Sequence, residues 1–492
     1  MDGKEGSKKL KIILIVLALI LIFTLVYSPH FSDPFPKHMD EWNHLTKATE
    51  LARGEYNWKS LSGLEIGFHA FLAILYILFG SSLIWIYQFL PAIFACITSL
   101  VLFMWIYKKI DNKNGFLIAL MTMFFFASIK SNVNINGLWF FTPLSFAFPF
   151  IFLYMFLFTQ GIEKENKKSI LASLTIMIFL LFTHAISVIF AIPILIVYSL
   201  FHLDYLKKEW KFFSLFLLVP LAGLLFYKIM RGLEFGVLFS TLFNALQFKK
   251  GWSTVELDLP FTLLYSLIGY IFTFIGAGFI LFNKEKRKKY LIFILWPIIL
   301  LISIIIFTLT DISYFVPYQR NLYYFVIILP VLSAFGLYFT IKTGYNFLKK
   351  IIANKKLMKI IGIIVLLLLI ISIFYFAFKD YQKVPSQIKL YTVITPQDYY
   401  ALRFLYGLEK STIMADPLVA SAMYPISYQR PVGTIYFYGH QKSAESFFLT
   451  KDCQKKGQIL EEENASYVLS RSKINCNWTL VYDNAEYVYK VN

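Results

Sequence analysis

Charge is scarce in this chain: Asp, Glu, Lys and Arg make up 15% of 492 residues, where a soluble domain averages about 25%. Gly-x-Gly-x-x-Gly and P-loop patterns are absent, so nothing supports nucleotide use at a cytosolic face. No internal repeat or low-complexity linker is visible. The first apolar run, Leu10 to Tyr27, follows a basic start but is not followed by a small-residue cleavage site. Ser28-Pro29-His30 reads instead as a helix exit, so the run is expected to stay as an anchor. What fills the chain is apolar: 58% hydrophobic, 19% aromatic, with a mean hydropathy of +0.63.

Apolar segments cover 10–27, 83–107, 115–129, 143–160, 170–184, 185–203, 212–230, 261–282, 290–309, 321–341 and 360–378. At 1.5 Å per residue, about 20 residues cross the roughly 30 Å of bilayer hydrocarbon. A soluble enzyme is excluded. The expected fold is a polytopic α-helical membrane protein of about eleven transmembrane helices with a small C-terminal α/β domain. The net charge of +18 could suggest nucleic acid, but its distribution says otherwise. Taking the loops alternately, one set holds 24 Lys and Arg, including Lys108, Lys164, Lys207, Arg287 and Lys349, and the other nine. Positive residues resist export, so the rich set is cytoplasmic and contacts anionic lipid heads. No nucleic-acid partner is expected. The N-terminus is then cytoplasmic and the C-terminal domain outside the cell membrane.

Leu64 to Phe79 is apolar but about 16 residues long and carries Glu65 and His69. If it crossed, every later loop would invert. It is expected to be a re-entrant or interfacial helix in the first outer loop, 28–82. The transmembrane domain runs over 1–378. Residues 379–492 are polar, with strand-like runs at Ser466–Leu469 and Tyr487–Val491. Cys453 and Cys476 lie here, free or joined in an outside disulfide; Cys96 lies in a span. Asn464-Ala-Ser and Asn477-Trp-Thr match the N-glycosylation pattern.

The first outer loop concentrates His30, His38 and His44 with Asp33, Asp40 and Glu41 in a chain poor in both types. Asp40 and His44, four apart, share a helix face if His44 to Ala52 extends back to them. The plain alternative is a helix N-terminus whose acids favour the dipole. Polar groups at membrane depth are costly and tend to be functional.

A first span followed by an outer loop with an Asp-Glu pair resembles the GT-C superfamily of membrane glycosyltransferases, which includes the dolichyl-phosphate-mannose mannosyltransferases and archaeal and bacterial relatives. The pattern Asp40-Glu41-x-x-His44, a helix ending at Gly54, then Gly67-Phe-His69 and Phe79-Gly80 is similar to several members, as are the late Asp311–Arg320 loop, the Asn321–Pro330 helix, Thr395-Pro-Gln-Asp-Tyr-Tyr-Ala-Leu and Ala415-Asp-Pro. Where the family often has proline at the head of the short outer helix, this chain has Gly63-Leu-Glu65-Ile. No Trp-Trp-Asp-type motif occurs in the tail, which argues against an oligosaccharyltransferase. The resemblance implies a sugar donor linked to polyprenyl or dolichyl phosphate, an acceptor (glycan, lipid or protein) at the outer face, and inversion at the anomeric carbon. Such transfer needs a carboxylate base, with Asp40 the first choice and Glu41 the second. It also needs a cation for the leaving phosphate. Arg320, the one basic residue of its loop, fits that need, unless it only snorkels; Lys249 and Lys250 come next. His44, His69 and His184 are expected near the substrates, although a lone His in an apolar helix is more often a packing residue. Asp40, Glu41 and His44 could bind a divalent ion, but action without metal or other cofactor is expected. The rival readings are a lipid-linked glycan or polysaccharide transporter, set against by an odd span count and the lack of paired halves, and a non-catalytic assembly protein.

Overall fold

The computed structural model describes residues 2–491 except 32, 57–64, 111–113, 130–136, most of 232–263, most of 352–391, and 436–437. α1 (Asp2–Tyr27) opens the chain, and α2 (Met39–Ala52) and α3 (Ile66–Phe79) follow in the first long loop. The bundle continues through α4 (Leu90–Lys109), α5 (Gly115–Phe126), α6 (Pro143–Glu163), α7 (Lys167–His184) and α8 (Ile186–Leu200). It is completed by α9 (Trp210–Arg231), α10 (Leu267–Leu281), α11 (Leu291–Thr310), α12 (Tyr318–Val326) and α13 (Leu329–Ile351).

Among the described residues seven stretches are long and apolar enough to cross a membrane, and four further apolar helices have 10–17 residues. Six of the eleven expected spans coincide with long stretches and four with the shorter helices; 360–378 lies mostly outside the described residues, as does the expected domain boundary at 378. The seventh long stretch, Ile66–Tyr87, is the segment kept out of the expected count. By length and apolar content it counts among the candidate spans. Near its head, a Cβ on Gly67 would meet Thr183 Oγ1 and the Phe182 carbonyl at the end of α7. Further along, the Tyr76 hydroxyl bonds to that of Tyr428 in the C-terminal domain.

Local sequence explains the helix starts. Asn166 accepts from the N–H groups of Lys168 and Ser169 to start α7, and Ser266 accepts from Gly269 to start α10, since a side-chain oxygen satisfies amides that have no intrahelical partner. Thr142 and Ser145 form a capping box at the head of α6, with Pro143 in the first turn. α10 and α13 pack backbone to backbone. A Cβ on Gly276 would lie 1.9 Å from the Leu332 carbonyl oxygen, and one on Gly336 1.9 Å from that of Phe272, so only glycine allows the approach.

The two ends of the bundle differ chemically. One end carries the ion pairs Lys109–Glu163, Lys167–Glu209 and Lys208–Glu165, and Glu163 also accepts from the Tyr198 hydroxyl. The other end holds α2, α3 and the end of α7. There β1 (Gln247–Lys249) pairs antiparallel with β2 (Ile312–Tyr314) beside the start of α12.

The C-terminal domain starts at α14 (Pro396–Tyr406), capped by Thr395 and Asp398. Its mixed sheet runs in the order β4-β3-β5-β7-β6, from β3 (Thr412–Ala415), β4 (Arg430–Pro431), β5 (Ala465–Ser470), β6 (Thr479–Asn484) and β7 (Glu486–Lys490). The two strand-like runs of the tail fall on β5 and β7. Cys453 and Cys476 are disulfide-bonded. This domain and the first long loop share one core: Phe35, Trp42 and Phe68, with Phe141 from the loop before α6, pack in one cluster with Val393, Leu402, Met423 and Val488. Polar contacts rim it. Arg430 reaches Glu50 at 2.5 Å and Glu55 at 3.3 Å, and the Tyr424 hydroxyl donates to Glu55 at 2.6 Å.

Candidate active site at one end of the bundle

α2 begins earlier than its sequence suggests. The expected stretch was His44 to Ala52, but the helix starts at Met39 because His38 caps it. His38 Nδ1 accepts the Asp40 N–H at 3.1 Å, while Glu41 Oε2 accepts the N–H of His38 at 2.9 Å. Asp40 and Glu41 thus sit in the first turn, on different sides of the helix.

That turn sends the two carboxylates to different tasks. Glu41 is fully buried. Its Oε2 also accepts from the Lys37 N–H at 2.8 Å, and its Oε1 from the Phe141 N–H at 2.7 Å, a hundred residues away. Burial raises its proton affinity, and the three backbone donors oppose the rise. The second-choice base is therefore a brace that ties the loop before α2 to the loop before α6. Asp40 keeps 28% side-chain exposure. Burial pushes its carboxyl upward, but His38, His44 and Arg320 together hold it below its ordinary value. Of these three, Arg320 is the permanent cation.

Arg320, from the first turn of α12, lies within electrostatic reach of Asp40, Glu65, His184 and Tyr324. Four well-separated pieces of chain converge here: α2, the head of α3, the end of α7 and α12. His44 Nδ1 lies 3.0 Å from His69 Nε2, and the Tyr56 hydroxyl 3.4 Å from His69 Nδ1. Burial is the main cause lowering both imidazoles, His44 to about 4. His184 Nδ1 bonds to the Ser187 hydroxyl at 2.6 Å, and Tyr324 lies 3.0 Å from that hydroxyl. Asn43, three residues after Asp40 on α2, has a buried Nδ2 with no protein partner among the described residues.

Asp40, His44, His69, His184 and Arg320 of the expected set are thus brought together; Glu41 is turned away. Lys250 pairs with the exposed Asp311 at 3.5 Å, and Lys249 ends β1. Glu65 was not expected at the site. Burial pushes its carboxyl up to about 7, with Arg320 opposing and Asp40 adding to the rise. The signal that could have found it was an acid inside an apolar run, which is expensive unless used. His44, Glu65 and His69 present ligand atoms within 4.8 Å of one another, a grouping the sequence-based expectation of metal-free action did not foresee. Chemically, the site offers a carboxylate held below its ordinary value, within electrostatic reach of an arginine.

No family model and no curated protein matches the sequence. Solved structures do match. The archaeal oligosaccharyltransferase AglB from Archaeoglobus fulgidus, in complex with an inhibitory peptide and a dolichol-phosphate, superposes with a TM-score of 0.58 at 13% identity, over 94% of this chain and 69% of the other. The Archaeoglobus fulgidus oligosaccharyltransferase in complex with Zn and sulfate gives 0.55 at 12% identity, over 93% and 67%. ArnT from Cupriavidus metallidurans bound to undecaprenyl phosphate gives 0.56 at 11% identity, over 97% of each chain. At 11–13% identity these matches show a shared fold.

Proposed function

We propose that this multi-pass membrane protein is a glycosyltransferase that moves a sugar from a polyprenyl or dolichyl phosphate to an acceptor at the outer face. One observation carries the reading: Asp40 and Arg320, 280 positions apart, lie within electrostatic reach of each other at one end of the bundle, with the carboxyl held below its ordinary value. Dolichol-phosphate and undecaprenyl phosphate are bound by two proteins of the same fold.

The chemistry follows from the two charges. Asp40 takes the proton of the acceptor hydroxyl as that oxygen attacks the anomeric carbon. The bond from the anomeric carbon to the phosphate oxygen breaks, and its electron pair leaves on the lipid phosphate. Arg320 stabilises the charge gathering there, gripping two phosphate oxygens in parallel. One displacement inverts the anomeric centre. Asn43 has a donor left over for a substrate oxygen. The lysine-rich end is assigned to the cytoplasm and the site to the outside, which cysteines placed at Ser82 and Lys108 check: only the first should react with an impermeant reagent in intact cells.

The deciding experiment incubates membranes containing the wild-type chain or Asp40→Asn with labelled polyprenyl-phosphate sugars and follows label into product. Wild-type membranes should transfer label and the variant should not. Label that crosses the membrane still attached to its lipid, with no product formed, would make the protein a transporter.

A further inference from the structure

Two sequence motifs play no part in the site: Asn464-Ala-Ser and Asn477-Trp-Thr, both in the C-terminal domain. Asn-x-Ser/Thr marks an amide that can take a glycan where the segment lies on an outer surface. The fold treats the two motifs differently. Asn464 is exposed, but it holds a left-handed φ of 49° where the helix Cys453–Glu462 turns into β5. Its N–H donates to the Glu461 carbonyl at 3.1 Å. Ala465 then pairs with Thr412 of β3, and the Ser466 carbonyl accepts the Val491 N–H at 2.9 Å. β5 lies between β3 and β7, so this motif runs straight into a strand that is flanked on both sides.

Asn477 has a different setting. Residues 471–478 contain bends but neither helix nor strand. β6, which begins at Thr479, ends the sheet and among the described residues pairs only with β7. Trp478 turns inward: its ring stacks on Phe447 at 6.0 Å and meets Tyr489 edge-on at 6.4 Å. Side chains alternate along extended chain, and Asn477 and Thr479 on either side of Trp478 are both exposed. The amide and the hydroxyl of the motif therefore face solvent together. An enzyme that acts on a peptide grips its backbone as well as its side chains. A loop leading into an open edge gives that access in the folded domain, and a central strand does not.

We infer that Asn477 carries an N-linked glycan and that Asn464 stays bare. The inference rests on the outer placement of the C-terminal domain proposed above, and not on sugar transfer by this chain. A separate oligosaccharyltransferase supplies the glycan from a lipid phosphate or pyrophosphate. The Asn477 amide nitrogen bonds to the anomeric carbon, and the amide gives up one proton to that enzyme's base. The bond from the anomeric carbon to the phosphate oxygen breaks, and its electron pair leaves on the phosphate.

The test takes the full-length protein from its own cells and maps it by mass spectrometry after reduction and trypsin digestion. Cleavage at lysine and arginine puts the two motifs on separate peptides, 457–471 and 474–490. The 474–490 peptide should carry a sugar mass at Asn477, and the 457–471 peptide should be unmodified. Asn477→Gln and Thr479→Ala should each abolish the addition, while Thr479→Ser should keep it, because a hydroxyl at that position completes the motif. An unmodified 474–490 peptide overturns the assignment, as does an addition that survives Thr479→Ala. A glycan on 457–471 overturns the choice between the two motifs. Cysteine labelling at Ser82 and Lys108 is read in the same cells. Where Ser82→Cys alone reacts from outside, a bare Asn477 counts against the glycan only; where Lys108→Cys reacts instead, the topology falls with it. Occupancy is read without any transfer assay, so it stands or falls apart from the role of Asp40.

Discussion

Glutamine at position 41 separates the brace from the base. Glu41 Oε2 accepts from the N–H groups of Lys37 and His38 at 2.8 and 2.9 Å, and Oε1 from that of Phe141 at 2.7 Å. A glutamine keeps the shape but has one acceptor oxygen. In its better orientation that oxygen keeps Lys37 and His38, and the amide NH₂ is set against the Phe141 N–H. One buried donor then loses its partner, at roughly 1–3 kcal/mol, and two hydrogen bonds lose their charge assistance, at about 0.5 kcal/mol each. Removing a fully buried carboxylate offsets part of this. The net destabilisation is about 2 kcal/mol. Domains of about 150–250 residues shift by about 2–4 °C per kcal/mol, and larger chains by less, so Glu41→Gln should lower the melting temperature of the detergent-purified protein by about 2–5 °C at a fixed scan rate. Asp40→Asn removes one acid from a helix N-terminus, worth about 0.3–1 kcal/mol, and should melt within about 1–2 °C of wild type while losing transfer by about 10²–10⁴-fold. A Glu41→Gln protein that melts like wild type yet loses transfer as Asp40→Asn does would refute the division of labour.

Arg320→Lys keeps the charge but loses the two-pronged grip, so kcat/KM for the lipid donor should fall about tenfold or more; wild-type donor kinetics would reduce Arg320 to an interface anchor. In the C-terminal domain, burial and the neighbouring Asp398 push Glu486 up to about 7, against the pull of Arg471. The folded domain then holds a proton that the unfolded chain releases, so stability falls as pH rises from about 4.5 to about 7, by no more than roughly 3 kcal/mol. Glu486→Gln should flatten that slope in limited proteolysis across pH; an unchanged slope would show that Glu486 is not its source. The Cys453–Cys476 bond spans 23 residues, and loop-closure entropy sets its contribution at about 3 kcal/mol, so Cys453→Ser with Cys476→Ser should make residues after 395 more sensitive to protease, and equal sensitivity would count against it.

Much of the membrane fold was legible because spanning helices are written in composition: length, apolar content and lysine asymmetry. Leu64–Phe79 was set aside because counting it as a span would invert the charge pattern, whereas its length and apolar content place Ile66–Tyr87 among the candidate spans. The site was legible in its residue types but not in their partners. Asp40 and Glu41 look alike in sequence, and only the Phe141 amide, brought in from the loop before α6, tells them apart. In sequence His38 is one more histidine of the outer-loop cluster, and its role appears only when it is seen capping α2. Glu65 counted in sequence only against a span, because the groups near it, His44 and Arg320, lie on other helices. Pairings over such distances are fixed by tertiary packing, and no local spacing records them.

The core shared by the first long loop and the C-terminal domain has a consequence for synthesis. Glu50 bonds to Arg430, 380 residues later in the chain, and Trp42 packs in one cluster with Met423 and Val488. Ribosomes add about 5–20 residues per second, so roughly 20–80 s pass between the appearance of α2 and that of its partners. Over that interval Phe35, Trp42 and Phe68 have no mate from the last domain, and the half-built face must be shielded by lipid or by a chaperone at the membrane surface. Completion of the last hundred residues is then the event that completes this shared core, so a ribosome that stops early leaves the first long loop without its partners.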